Sequence, residues 1–220
     1  MVDGNERDVS GVRIIAIVLV DGESLRYLPD TLPRVSWWAT DVLVAGWRLS
    51  DDVCRDILTD CDAVYNFHTM SELWKKMYLA FVPEKGDYCS VITAHELVVN
   101  HGDVRRIIKE CPDNRITARR YMMWNDHQYR VDGVYGVSEF NFLFPYRESG
   151  GYFTVMARTA RTPDYVLNLL PSPHPSIDVL SYAYAAESDR VSSREPGLLV
   201  SPHLREWTRG GTIGTILPVA

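Results

Sequence analysis

The chain lacks any apolar stretch near the roughly 20 residues that a membrane-crossing helix requires. No span is therefore expected. Its polar, acidic start, Met1 to Asp8, does not read as a secretory leader. The 4 cysteines, Cys54, Cys61, Cys89 and Cys111, contain no Cys-x-x-Cys pair. Zinc and disulfides are therefore not expected. Buried free thiols in a reducing, cytoplasmic setting are. No Gly-x-Ser-x-Gly occurs, so a nucleophile elbow has nowhere to sit and a Ser/His hydrolase is set aside. His174 and His203 fall in Pro-rich loops and read as surface residues. Positive charge is short as well: 23 Lys and Arg stand against 29 Asp and Glu, for a net charge of −6. The chain as a whole has no pull on nucleic acid or an anionic membrane. There is no internal repeat.

What is present is an ordinary globular composition, 46% apolar and 24% charged over 220 residues, enough for one well-buried core. The 6 Trp and 12 Tyr are many for this length and serve a core or a ring-stacking groove. The local basic cluster Arg105, Arg106, Lys109, Arg115, Arg119 and Arg120 reads as a solvated helix face with its flanking strand.

Alternation of strands and helices organises the first half. The β-branched run Arg13 to Val20 predicts a central strand ending at the polar turn Asp21-Gly22-Glu23-Ser24. A helix or turn follows towards Leu32, interrupted by Pro29 and Pro33. Asp41 to Trp47 predicts a second strand, Ser50-Asp51-Asp52 a capped helix to about Thr59, and Asp62 to Phe67 a third strand. Ser71 to Phe81 predicts a helix with an apolar stripe, and 86–97 a fourth strand. Strands separated by helices of this length imply crossovers and a largely parallel sheet. Beyond Leu97 the pattern changes. Gly102 to Glu110 reads as an amphipathic helix with Val104, Ile107 and Ile108 inward. Short antiparallel-looking runs follow at 116–124, 129–135, 140–146 and 152–156. A Pro-rich loop spans 163–175, an apolar segment 177–185, and a charged helix begins at Glu187. The expected division is a disordered start (1–11), one α/β domain (12–195, with a nucleotide-binding half 12–97 and an acceptor half 98–195) and a surface tail (196–220).

One stretch carries the most chemistry: Gly86-Asp87-Tyr88, the apolar run to Ile92, then Thr93-Ala94-His95-Glu96. Polar groups just past a buried parallel strand sit where α/β sheets bind ligands. This stretch resembles the signature of sugar-nucleotide-dependent transferases of the family-2 type, with the GT-A fold, which read Gly-Asp-Trp, four apolar residues and Asp-Ala-Asp-Glu. Further pieces are similar in order: Val42 to Ser50-Asp51-Asp52, Trp74-Lys75, Tyr121 to Asp126 with Tyr129-Arg130-Val131-Asp132-Gly133, and Leu180 to Ala185 with Asp189-Arg190. The resemblance implies a GT-A-like single domain, a mostly parallel nucleotide-binding half followed by a mixed or antiparallel acceptor half. It also implies transfer of a hexosyl or pentosyl unit from a nucleotide-sugar to an acceptor: nucleic acid (a modified base in a phage-type setting), protein or small molecule.

The chain departs from that family at three places. Trp47 stands where an aspartate holds the base or ribose. The aspartate pair is Thr93 and His95. Ser181 replaces a late histidine. The resemblance implies donor contacts from Asp21, Glu23, Trp47, Thr93, Arg130 and Arg190, with Arg158 and Arg161 as further cations for the leaving diphosphate. It implies Mn²⁺ or Mg²⁺ at His95 and Glu96, and a base at Asp132 or, second, Asp126. Asn125-Asp126 and Asp132-Gly133 also read as plain turns, and His95-Glu96 as a structural cap. The eroded aspartates equally suit a non-catalytic nucleotide- or sugar-binding or assembly protein.

Overall fold

The computed structural model describes residues 11–69, 72, 86–112, 114–132, 136–145, 177–186, 188, 190 and 202–207. The expected helix over 71–81, apart from position 72, lies outside this set, as do the run 152–156, the loop 163–175, and Arg158 and Arg161. Ten strands are defined: β1 (Ile14–Val20), β2 (Asp41–Trp47), β3 (Ala63–Phe67), β4 (Tyr88–Thr93), β5 (Glu96–Val98), β6 (Ile116–Met122), β7 (Gln128–Arg130), β8 (Ser138–Pro145), β9 (Ile177–Ser181) and β10 (Leu204–Glu206). Among the described residues the α-helices are α1 (Leu28–Ser36), α2 (Asp51–Ile57) and α3 (Asp103–Glu110), with a 3-10 turn at Leu25–Tyr27 leading into α1.

Eight strands make one sheet in the order β3-β2-β1-β4-β8-β6-β9-β5. β1 is parallel to β2 and β4, and β2 to β3. β8 is antiparallel to both β4 and β6, which turns β6 the same way as β4, and β9 is parallel to β6. The C-terminal ends of β1, β2, β3, β4, β6 and β9 therefore share one rim. This is the expected α/β class: a parallel half followed by a mixed one, consistent with a GT-A-like fold. In the mixed half, β6 and β8 pair antiparallel as expected, whereas β7 leaves the sheet and pairs with β10 from the tail.

The three described helices cover one face. Leu28, Leu32 and Val35 of α1, Ile57 of α2, and Val104, Ile107 and Ile108 of α3 join Ile14, Ala16, Val18 and Val20 of β1 in the main core. Alternation sends Ile17 and Leu19 to the opposite face, with Leu43, Ala45 and Phe67. The prolines do not interrupt α1 as expected. Pro29 occupies the first turn, where no helical partner is needed for its missing N–H, and the helix continues through Pro33. The apolar stripe of α1 against the sheet outweighs the one backbone bond that Pro33 forfeits. Ser50 caps α2 by accepting from Val53 N at 3.4 Å. All four cysteines are free. Burial pushes the Cys89 thiol well above its ordinary value, with Asp87 adding to the effect. No described helix is long and apolar enough to cross a membrane.

The expected fourth strand is in fact two. Ala94 and His95 separate β4 from β5, yet β5 pairs with β9 at the far end of the strand order. The sheet must curl for this, and the junction between its ends is tight. Tyr182 N donates to His95 O at 2.9 Å and Ala94 N to Leu19 O at 2.8 Å. Glu96, 3% exposed, fastens the junction. Its Oε2 accepts from Thr93 N at 3.0 Å, and its Oε1 lies 2.7 Å from Arg120 Nε of β6. The Arg120 contact is an ion pair without hydrogen-bond alignment. Glu96→Ala would strand a half-buried guanidinium and an N–H donor. A loss of about 2–4 kcal/mol in urea unfolding is expected, and a loss below about 0.5 kcal/mol would show that the junction does not depend on this carboxylate.

Candidate functional site

The rim brings the first group of expected residues together. Register pairs Val20 with Gly46 and Leu19 with Thr93, so Asp21 follows β1 beside Trp47, with Thr93 and His95 on the other flank. Asp21 closes a local ring. Its Oδ1 accepts from Ser24 N at 2.8 Å and Ser24 Oγ at 2.7 Å, while its own N–H donates to Ser24 Oγ at 3.0 Å. Crowding by neighbouring atoms raises the Asp21 pKa. The Ser24 hydroxyl and N–H, with His95 nearby, more than offset that and hold it below the usual aspartate range. Glu23 is exposed in the same turn. His95 Nε2 lies 2.9 Å from Thr93 Oγ1, and the Tyr27 ring stands edge-on to the imidazole at 6.5 Å. Trp47, 36% exposed, rests on Phe67 at 5.1 Å.

The second group gathers where β6, β7 and β9 end. Arg130 is 3% exposed and grips Asp132 through two parallel bonds, Nε to Oδ1 at 3.0 Å and NH2 to Oδ2 at 2.9 Å. Those bonds hold the Asp132 carboxyl below its usual range. The Arg190 guanidinium lies over Trp124 at 4.0 Å and donates to the carbonyls of Tyr184 and Ala185 at 2.8 Å and Trp124 at 3.2 Å. Arg190 thus ties the turn after β9 to the loop after β6. Asn125 Oδ1 accepts from Gln128 N at 2.8 Å, which makes 125–128 the turn that its residues suggested. Within it Asp126 is half-buried, and its Oδ1 is enclosed without a hydrogen-bond partner. Nearby, the Tyr182 hydroxyl is enclosed and equally unpartnered. Burial first, and then the Asp126 charge, push that phenol well up. Tyr27 joins the two groups, since its hydroxyl donates to Tyr182 O at 3.2 Å while its ring meets His95.

A hard cation such as Mn²⁺ or Mg²⁺ wants several open oxygen ligands. Here Asp21 Oδ1 is taken by Ser24, His95 Nε2 by Thr93, and both Glu96 oxygens by Thr93 and Arg120. Ser181, at the place of the late histidine, is 2% exposed and pairs in register with Glu96. Among the described residues no three His, Cys, Asp or Glu converge. As arranged, these groups do not fit such an ion.

Sequence reasoning passed over Ser24, Tyr27, Tyr182 and Arg48. The spacing Asp-x-x-Ser of Asp21 and Ser24 is a legible turn signal. Tyr27 and Tyr182 meet only because the sheet curls, which no local pattern announces. Ser24→Ala is expected to cost about 1 kcal/mol at neutral pH in urea unfolding. A carboxyl whose pKa folding depresses stabilises only while ionised, so the gap should narrow as pH falls through the lowered Asp21 value. A gap that is constant into acid would show that Ser24 acts without Asp21.

No family model matches this chain, and no curated protein matches it. Among solved structures it is similar to a 4-diphosphocytidyl-2C-methyl-D-erythritol synthase, with a TM-score of 0.45 and 13% identity over 86% of this chain and 99% of that one.

Proposed function

We propose that the chain is a glycosyltransferase that takes a hexosyl or pentosyl unit from a nucleotide-sugar. One observation carries the reading. Asp21, Trp47 and the Thr93–His95 pair stand at the tips of three adjacent parallel strands, the place where open α/β sheets receive ligands. Trp47 offers a face for the base. Asp21, ionised and held by Ser24, suits ribose hydroxyls. His95 suits the diphosphate. Glu23, Arg130 and Arg190 complete the donor-side candidates, the last two by shaping the loop after β6.

In the transfer step an acceptor oxygen forms a bond to the anomeric carbon, the bond from that carbon to the diphosphate oxygen breaks, and the electron pair leaves with the diphosphate. The acceptor's proton passes to a carboxylate. Asp132, neutralised by a bidentate arginine, is a weakened base, whereas half-buried Asp126 has no arginine partner among the described residues. We therefore reverse the sequence-based ranking and place Asp126 first. No step is routed through a metal. The acceptor class stays open among nucleic acid, protein and small molecule, and the net charge of −6 weighs against nucleic acid. Four free thiols suit a reducing cytoplasm.

A second reading, a non-catalytic nucleotide- or sugar-binding domain, is favoured by Glu96. This carboxylate is sealed inside the junction rather than facing the rim. Calorimetry with nucleoside diphosphates and nucleotide-sugars tests the shared donor site. Binding weakened about tenfold by His95→Ala is expected, the loss of one charge-assisted contact. If none of the panel binds, the donor site does not exist. Binding without release of nucleoside diphosphate in the presence of any acceptor class would leave the second reading in place.

A further inference from the structure

Arg48 is the one described residue other than glycine with positive φ, at 53°. A turn at this point would be served at lower cost by glycine, since a side chain in the left-handed region is strained. The surroundings hold Arg48 there. Its N–H donates to Phe67 O at 3.1 Å. The next residue, Leu49, is gripped by Asn66, whose Oδ1 accepts from Leu49 N at 3.0 Å and whose Nδ2 donates to Leu49 O. Leu49 in turn packs down on Gly46, where an added Cβ would come within 2.7 Å of Leu49 Cδ1. The outcome of this tight corner is that the Arg48 guanidinium lies over the Trp47 indole, 5.2 Å from its centroid. Both residues are exposed, and no carboxylate pairs with Arg48 among the described residues. An aromatic face and an unpaired cation are thus held together at the tip of β2, beside Asp21.

We propose that Trp47 and Arg48 form a clamp for nucleoside diphosphates that is tolerant of the base. The base stacks on the indole face that Arg48 covers, and the displaced guanidinium pairs with the diphosphate. Stacking is indifferent to base identity because every base offers a π-face. Reading a base edge needs free donors or acceptors, and the Asn66 amide of the adjacent strand β3 is engaged at both ends by Leu49. The planar fork of arginine matches both partners in turn, stacking on the ring and then hydrogen-bonding phosphate oxygens. This inference rests on the donor-site reading and adds to it the class of nucleotide and a residue, Arg48, that the family frame does not supply.

Calorimetry on the full chain with UDP, CDP, ADP and GDP, and with the matching nucleosides, separates the possibilities. The four diphosphates are expected to bind within about tenfold of one another. Trp47→Ala should weaken every diphosphate and nucleoside by about tenfold or more. Arg48→Ala should weaken the diphosphates by about tenfold and leave the nucleosides unchanged or tighter, because it uncovers the indole face. Arg48→Gly, which fits the positive φ, guards against a folding defect and should behave alike. A preference for one base beyond about 100-fold overturns the tolerance, and equal losses for nucleosides and diphosphates in both Arg48 variants overturn the clamp. Failure of the unaltered chain to bind any diphosphate overturns the donor-site reading, and the clamp falls with it.

Discussion

The carboxylate of Glu96 is the contact on which the rest of the molecule depends. A curled sheet has two ends that must be held against each other, and a buried acid facing a strand N–H and an arginine does this at one point. Thr93 belongs to the parallel half, Arg120 to the mixed half, and Ser181 sits opposite in register. Burying such a group is costly unless every partner is in place. The same feature makes the junction specific: a register slip of one residue would turn Glu96 outward and leave Arg120 unpaired. The rim inherits its shape from this seam, because His95 lies inside it.

The rim is electrostatically mixed rather than basic. Asp21 and Glu23 share the rim with His95 and Arg48, in a chain of net charge −6. Diffuse attraction to polyanions is therefore weak, and selectivity must come from contacts made at short range. The second group of residues has a similar economy. Arg130 is almost wholly buried and serves Asp132, while Arg190 spends its donors on three backbone carbonyls. Both shape a loop, and neither presents an open cation.

Much of this fold is legible in the sequence, and the reasons are local. β1, β2 and β3 announce themselves as β-branched or apolar runs closed by polar turns, α2 by Ser50, and α3 by the spacing of Val104, Ile107 and Ile108. The order of parallel and mixed halves follows from where helices stop alternating with strands. What escapes is long-range. Glu96 reads as part of a strand-end motif facing ligand, yet it turns inward because β5 pairs with β9 rather than continuing β4. Pro33 reads as a helix breaker, and tertiary packing overrides it. His203 is an exposed loop residue, as its Pro-rich setting suggests, and only the bond from Val131 N to its carbonyl at 3.0 Å, just before β10, was not legible. The rim positions of Asp21 and His95 follow from strand ends and those of Trp47 and Thr93 from the family resemblance, whereas the partner of each depends on register.

The short ribbon of β7 and β10 is a latecomer in topological terms. Leu204–Glu206 pairs with Gln128–Arg130 across more than 70 residues of chain, and the Trp207 ring packs against Tyr121 at 4.5 Å while the Trp207 backbone N–H donates to His127 O at 2.7 Å. With β8 and β9 already fixed in the main sheet, what the ribbon adds is three residue pairs outside that sheet. Held by three residue pairs outside the eight-stranded sheet, the ribbon is expected to open before that sheet does. Because β7 carries Arg130, and through it Asp132, opening the ribbon would loosen one half of the rim and spare the other. The chain would then have two stabilities, a high one for the rim at β1, β2 and β4 and a lower one for the loop after β6.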